Sequence, residues 1–338
     1  MRIAYLIMAH NQPEHLLRMV NALDCQGAAF YIHIDKKSDT APFHAALGNR
    51  GNVHLLCDRV TANWMGFSLI EISLRMLRLA VEEGFDYCLQ LSGADYPIKS
   101  NDYLFSFFEN ADKEYISFWR LEDRPSWLRK VQHYYFIDAI PIRDWSNNRE
   151  RVYWRRLFWG RFFKYQKYMP KRKFLRGMIP YGGSDWWSLS YGCAAYVLRF
   201  VEENPSYRRF FKYTHSPGEL FFQTIILNSD RAGSVKNFEQ YNMWRAERSK
   251  EQLRSEADML PEETFNYRYI DWSGEVTGER ERPAVLDERD WEKIKSSKCH
   301  FARKFDPRRS AKLLDMIDRE ILGVSKANCA GAFATETY

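Results

Sequence analysis

The chain has 338 residues, of which 45% are hydrophobic, 16% aromatic and 28% charged, a composition that excludes a disordered chain and suits a large buried core. Its formal charge of +6, from 50 Lys and Arg against 44 Asp and Glu, permits a polyanionic partner without demanding one, and no nucleic acid is predicted. Six Cys with no Cys-x-x-Cys pair and no His/Cys cluster exclude a structural zinc site and fit a reducing compartment, with Cys57, Cys88 and Cys193 as reduced core residues.

Ile3 to Met8 is a continuous apolar run of strand length that begins too early for a signal peptide, and no run reaches the roughly 18 apolar residues of a membrane span. A soluble, cytoplasmic protein is therefore predicted. Leu16, Leu17, Val20 and Leu23 give helical spacing over 14–23, and Phe30 to Ile34 is the next strand, ending on Asp35. This is a βαβ unit, in which ligands bind beyond the carboxyl ends of the strands, here Ala9–Gln12 and Asp35–Ser38. Asp35 reads equally as a turn former. There is no Gly-x-Gly-x-x-Gly and no P-loop, so neither a dinucleotide site nor an NTPase is indicated.

Val53 to Cys57 reads as a third strand, and Asn63-Trp64-Met65-Gly66 precedes a long amphipathic helix over 68–83. Trp64 suits packing or binding equally. A strand over 85–91 runs into Leu-Ser-Gly-Ala-Asp95-Tyr-Pro-Ile-Lys-Ser-Asn, followed by a helix over 101–110 and a strand over 115–119. No Asp-x-Asp occurs in the chain, and Asp95 alone is a poor site for a hard cation; turn capping before Pro97 and a catalytic role both stay open. Residues 122–180 form a basic and aromatic insertion with short helical pieces, either a solvated basic face or an acceptor-binding surface. Its 143–176 portion suits contact with a membrane face.

Flexible glycines in Pro180-Tyr-Gly-Gly-Ser-Asp185-Trp186-Trp lead into a strand, and a helix over 191–204 follows. The segment Thr-His-Ser-Pro-Gly-Glu219-Leu-Phe-Phe-Gln-Thr-Ile then places a carboxylate at the mouth of an apolar helix, with Ser216 as N-cap and Pro217 at the first helical position. Glu219 there is either a partner for the helix dipole or a functional acid. A charged excursion over 247–263, a strand over 265–272 carrying Arg268, and a mobile loop over 273–282 come next. A helix over 287–295, His300-Phe-Ala-Arg303-Lys304-Phe-Asp306 and a helix over 308–322 complete the ordered part, with a flexible tail over 325–338.

Five of these segments, in this order, resemble the core-2/I-branching N-acetylglucosaminyltransferases and peptide O-xylosyltransferases of glycosyltransferase family 14. The resemblance implies a single α/β domain over 1–324 of the GT-A nucleotide-sugar type, a mixed and mostly parallel sheet flanked by helices, in a variant lacking Asp-x-Asp. It also implies site roles: Met8 and Asp35 contacting the uridine of a UDP-sugar, Trp64 near the donor, and Asp95 after the central strand. Asp185 and Trp186 would meet the donor sugar or its diphosphate, and Lys304 with Arg303 would bind the diphosphate. Arg268 matches the family's second phosphate-binding arginine more loosely, and Glu219 stands where the family carries its catalytic base.

The implied activity is an inverting, metal-independent transfer from UDP-xylose or a UDP-N-acetylglucosamine-like donor to a glycan or glycolipid hydroxyl, forming a β linkage with no cofactor beyond the co-substrate. Animal members carry a membrane anchor, a stem and matching cysteines that this sequence lacks, which points to a bacterial member working on surface polysaccharide. A metal-dependent sugar-nucleotide hydrolase needs clustered carboxylates that the sequence does not offer. A non-catalytic carbohydrate- or polyanion-binding module leaves Glu219 and Lys304 unexplained.

Overall fold

A computed structural model describes residues 1–139, 163–166, 168–256, 263–272 and 283–323. Its centre is a six-stranded sheet in the order β3-β2-β1-β4-β9-β6, built from β1 (Ile3–Ala9), β2 (Ala28–Ile34), β3 (Val53–Leu55), β4 (Tyr87–Ser92), β6 (Tyr115–Ile116) and β9 (Trp187–Ser190). The first four strands are parallel, and β9 runs antiparallel to both β4 and β6. The fold is thus mixed α/β with a mostly parallel sheet.

β1 reads as an unbroken apolar run because both of its faces are covered. Side chains alternate along a strand, so Ile3, Tyr5 and Ile7 enter one core while Ala4 and Leu6 enter the other. The first core is closed by α1 (Pro13–Leu23), α2 (Ala41–Leu47), α4 (Asn101–Glu109) and the helix Ala311–Ile317; the second by α3 (Ser68–Glu82) and the helices Tyr191–Glu203, Pro205–Phe211 and Phe221–Leu227. The C-terminal segment is pinned where Asp318 accepts from the Tyr96 hydroxyl and from Arg18, each at 2.6 Å. A smaller sheet, β10-β11-β5, joins Arg268–Ile270, Phe301–Arg303 and Asp95–Pro97, with β10 parallel and β5 antiparallel to β11. A two-stranded ribbon pairs β7 (Trp119–Arg120) with β8 (Tyr181–Gly182).

Several expectations change. The segment around Glu219 is not one helix: Pro217–Glu219 is a 3₁₀ turn, and the α-helix starts only at Phe221. Ser216 does stand at the N-cap of that turn with Pro217 at its start, but its φ of 47° is left-handed and its hydroxyl meets His215 Nδ1 at 3.0 Å rather than capping a backbone amide. The strand over 115–119 divides into β6 and β7, because Ser117 between them turns its hydroxyl to accept from the Ser184 amide at 2.7 Å. The strand over 265–272 shortens to Arg268–Ile270 after a helical turn Glu263–Asn266 and a Tyr267 with φ of 53°. Cys88 and Cys193 are buried, but Cys57 is exposed, and Cys299 takes a place in the core.

Much of the basic-aromatic 143–176 stretch, the 273–282 loop and the 325–338 tail lie outside the described residues. Among the described residues no helix is long and apolar enough to cross a membrane. Leu6, fully buried on the central strand, sets a direct check of this layering: Leu6→Ala is expected to cost about 2–5 kcal/mol of unfolding free energy, measured by urea denaturation.

Candidate active site

The carboxyl ends of β1, β2 and β4 converge on one edge of the sheet, the place where open α/β sheets bind ligands. The Gly93 amide donates to Met8 O at 2.8 Å, and a Cβ at Gly93 would lie 2.9 Å from that of Ala9, so glycine is what lets the β4 exit press against β1. Met8 is half-buried there. Asp35 is buried, and its Oδ1 accepts from the amides of Lys37 at 3.1 Å and Ala62 at 3.2 Å, with the Lys37 ammonium 3.4 Å from Oδ2. These bonds fold the loop after β3 over the end of β2. Trp64 stands on that loop at 61% exposure.

The loop is held from two sides. Asp138, at the edge of the insertion, accepts from Asn63 Nδ2, the Ser68 amide and the Ser68 hydroxyl at 3.1, 3.1 and 2.7 Å, capping the start of α3. The Ser216 amide donates to Met65 O at 3.0 Å, which brings the Trp64 loop beside the Glu219 turn.

Asp95 has no solvent exposure. Its carboxylate accepts from the Ser92 amide at 2.7 Å and from Arg268 Nη1 at 3.0 Å, and Arg303 Nε lies 3.3 Å from its Oδ1. Arg268 is buried as well, and its Nη2 donates to Gln90 O at 3.0 Å. Burial pulls its guanidinium down to about 10, with Asp95 opposing and Arg303 reinforcing the shift, and it stays protonated at neutral pH. Asp95 therefore anchors two arginines. Both guanidinium groups cover the Trp186 ring, Arg303 at 4.2 Å and Arg268 at 5.3 Å from its centroid. Lys304 follows Arg303, and its carbonyl accepts from the Leu286 amide at 3.0 Å.

Residues 183–186 connect this cationic end to Glu219. The Gly183 amide donates to Glu219 O at 2.8 Å, Gln223 Nε2 to Ser184 O at 2.7 Å, Gln90 Nε2 to Asp185 O at 2.9 Å and Asn266 Nδ2 to Trp186 O at 3.3 Å. Space is the reason for both glycines: a Cβ at Gly183 would meet Ser117 O at 1.8 Å, and one at Gly218 would meet Asp185 Oδ1 at 2.0 Å. Two carboxyl groups consequently share one wall. Burial, reinforced by the neighbouring Glu219 charge, pushes Asp185 up to about 7, while Lys130 and Arg303 pull it back. Burial also raises Glu219, against a direct ion pair with the Lys130 ammonium.

Asp95, Asp185, Trp186, Glu219, Arg268 and Arg303 thus form one continuous chain of contacts, and Met8, Asp35 and Trp64 line the neighbouring strand ends. Among the described residues no group of three or more His, Cys, Asp or Glu side chains is placed to hold a metal ion. The family of Core-2/I-branching enzymes matches residues 3–295, which carry every strand described above except β11. The chain belongs to that family.

Core-2/I-branching relatives include human xylosyltransferase 2, 29% identical over 239 residues covering 68% of this chain and 25% of that protein. Rat xylosyltransferase 2 is 26% identical over 336 residues, covering 95% of this chain and 34% of the relative. Rat xylosyltransferase 1 is 26% identical over 242 residues, covering 69% and 27%. The chain spans between a quarter and about a third of the length of these relatives.

Sequence reasoning missed Lys130. It lies on α5 (Pro125–Gln132), inside the stretch read as an acceptor-side insertion with short helical pieces, none of them placed; Pro125 at the first helical position was the available signal.

The wall of carboxyls carries a pH signature. Asp185 holds its proton to higher pH folded than unfolded, so it contributes full stability below its ordinary 3.8 and progressively less as pH rises toward about 7. Asp185→Asn is therefore expected to stabilise the protein more at about pH 8 than at about pH 5, by on the order of 1–2 kcal/mol after allowance for its partial exposure, measured by thermal melting at both pH values.

Proposed function

We propose that this Core-2/I-branching family member transfers a sugar from a UDP-sugar, UDP-xylose or a UDP-N-acetylglucosamine-like donor, to a hydroxyl of a glycan acceptor, with inversion and without a metal. The observation that carries the reading is that one short segment, Asp185–Trp186, touches both halves of the required machinery. Its aspartate lies against the Glu219 turn, and its tryptophan lies under the guanidinium of Arg303.

In this reading the acceptor oxygen attacks the anomeric carbon as Glu219 takes its proton, and the bond to the diphosphate breaks on the opposite face. One displacement from an α-linked donor gives a β-glycoside. The negative charge that grows on the leaving diphosphate needs cations already in place. Lys304 supplies a point charge and Arg303 a planar fork. Arg268, enclosed by Asp95 and Gln90, serves by fixing Asp95 and through it the aim of Arg303 rather than by reaching the phosphate. What supports metal independence is that Asp95, the lone carboxylate following the central strand, is committed to arginines. Trp186 offers a flat face to a pyranose ring, and Met8 and Asp35 line the strand ends suited to the uridine.

The test is UDP release from a panel of UDP-sugars in EDTA with and without sugar acceptors. Turnover with UDP-xylose or UDP-N-acetylglucosamine that survives EDTA is the expected result; release only with added metal overturns the metal-free mechanism, and no release from any donor overturns the transferase reading. Glu219→Gln should lower turnover by about 10²–10⁴-fold while retaining UDP binding, whereas Lys304→Ala should weaken UDP binding itself, read by calorimetry.

A further inference from the structure

The Glu219 carboxylate does not stand alone in its turn. Lys130 reaches it from α5, and the approach is built into the backbone rather than left to a flexible side chain. The His215 amide donates to Lys130 O at 3.2 Å, the Tyr135 amide to Tyr213 O at 3.0 Å, and the Arg172 amide to Gln132 O at 2.9 Å. The end of α5 is therefore stitched to the segment that precedes Glu219. Along the helix, the Lys130 ammonium also lies 3.5 Å from the centroid of the Trp127 ring, which braces it from behind. Its side chain is 18% exposed and that of Glu219 27%, so the pair is substantially withdrawn from solvent.

Among the described residues, the charged and titratable groups that face Glu219 are few. Asp185 adjoins it from the loop before β9, with Arg303 acting on Asp185 from β11. His215 precedes it in the same segment, turned toward the Tyr135 ring at 5.0 Å and the Ser216 hydroxyl, and its imidazole is pulled down to about 4 by burial and by Lys130, so it is neutral at working pH. Lys130 is the cation in direct contact with Glu219. Among the described residues, two acids therefore share a wall with one ammonium, and that ammonium meets only one of them directly.

We propose that Lys130 is the positioning residue of the general base, holding the Glu219 carboxylate ionised and aimed in the wall it shares with Asp185. This rests on the reading of Glu219 as the base. Burial disfavours charge on Glu219 and holds its titration above the ordinary carboxylate range, and the Lys130 ammonium in contact with it opposes that rise. Asp185, which Lys130 and Arg303 act on only through space, is held up to about 7 by burial and by the Glu219 charge, so it carries its proton at mildly acidic pH and can then donate a hydrogen bond. Environment thus gives two like acids different tasks, the arrangement that acid–base enzymes rely on. During turnover the acceptor O–H proton moves to Glu219 and then to solvent; Lys130 keeps its own proton throughout.

The test reads the charge on Glu219 directly. The protein is labelled with carboxyl-¹³C glutamate, the Glu219 resonance is identified by its disappearance in Glu219→Gln, and its titration midpoint is followed in Lys130→Met and Lys130→Arg. Lys130→Met should raise the midpoint by about one pH unit or more, Lys130→Arg should leave it near the parent value, and UDP binding should change less than about twofold in both. The acid limb of UDP release from UDP-xylose or UDP-N-acetylglucosamine should move upward with the midpoint. A midpoint unmoved in Lys130→Met overturns the proposal, and an unmoved midpoint with a raised acceptor KM reassigns Lys130 to acceptor binding. Should Lys130→Met lose its near-ultraviolet circular dichroism, Lys130→Gln carries the same measurement. Normal UDP release by Glu219→Gln sinks the base reading instead, and leaves the ionic result interpretable.

Discussion

A fully buried carboxylate, Asp95, holds two guanidinium groups and one strand-end amide, and the cationic half of the site depends on it. A lone charge in that position would be prohibitively costly; with Arg268 and Arg303 beside it, the charge is compensated and the geometry becomes nearly obligatory. The three residues belong to β5, β10 and β11, so the electrostatic cluster and the small sheet stabilise each other. Trp186 lies against both arginines, which ties the cationic end to the loop before β9.

At the other end the same physics operates with the signs exchanged. Asp185 and Glu219 are brought together because Gly183 and Gly218 remove the side chains that would separate them from their surroundings. Burial raises both carboxyls, and Lys130 opposes that rise at both, through space at Asp185 and by direct contact at Glu219. The site thus grades from an acidic pair on the α5 side to an arginine pair on the β11 side, and residues 183–186 form the strip between them. Such a polarity suits a reaction in which a proton leaves one partner as negative charge accumulates on the other.

The legible parts of the sequence were those with strong local signals. The βαβ start, the long helix after Gly66 and the strand leading to Ser92 followed from periodicity, and each lies within a few residues of its expected place. The Ser-Pro opening does start a helical turn, but nothing local marks that the turn is 3₁₀ and stops at Glu219, with Leu220 at φ −139° separating it from the α-helix that opens at Phe221. The strand after Phe265 was overextended because alternation of side chains carries no mark of where a positive φ at Tyr267 interrupts it. Trp64 and Asp35 were located on their loops, yet nothing local indicated that Asp138 and Ser216 would hold the Trp64 loop in place.

By itself the sequence determined the central strands and the order of the segments that bear Glu219, Asp185, Arg303 and Lys304, since each is written in spacing or in contiguous residues. Tertiary structure alone decided which charges meet. Lys130 reaches Glu219 across 89 positions and Arg268 reaches Asp95 across 173, and no periodic pattern encodes a contact between segments so far apart. Ion pairs of that kind depend on where the burial of apolar faces brings the backbone, so they become readable only once the chain has folded.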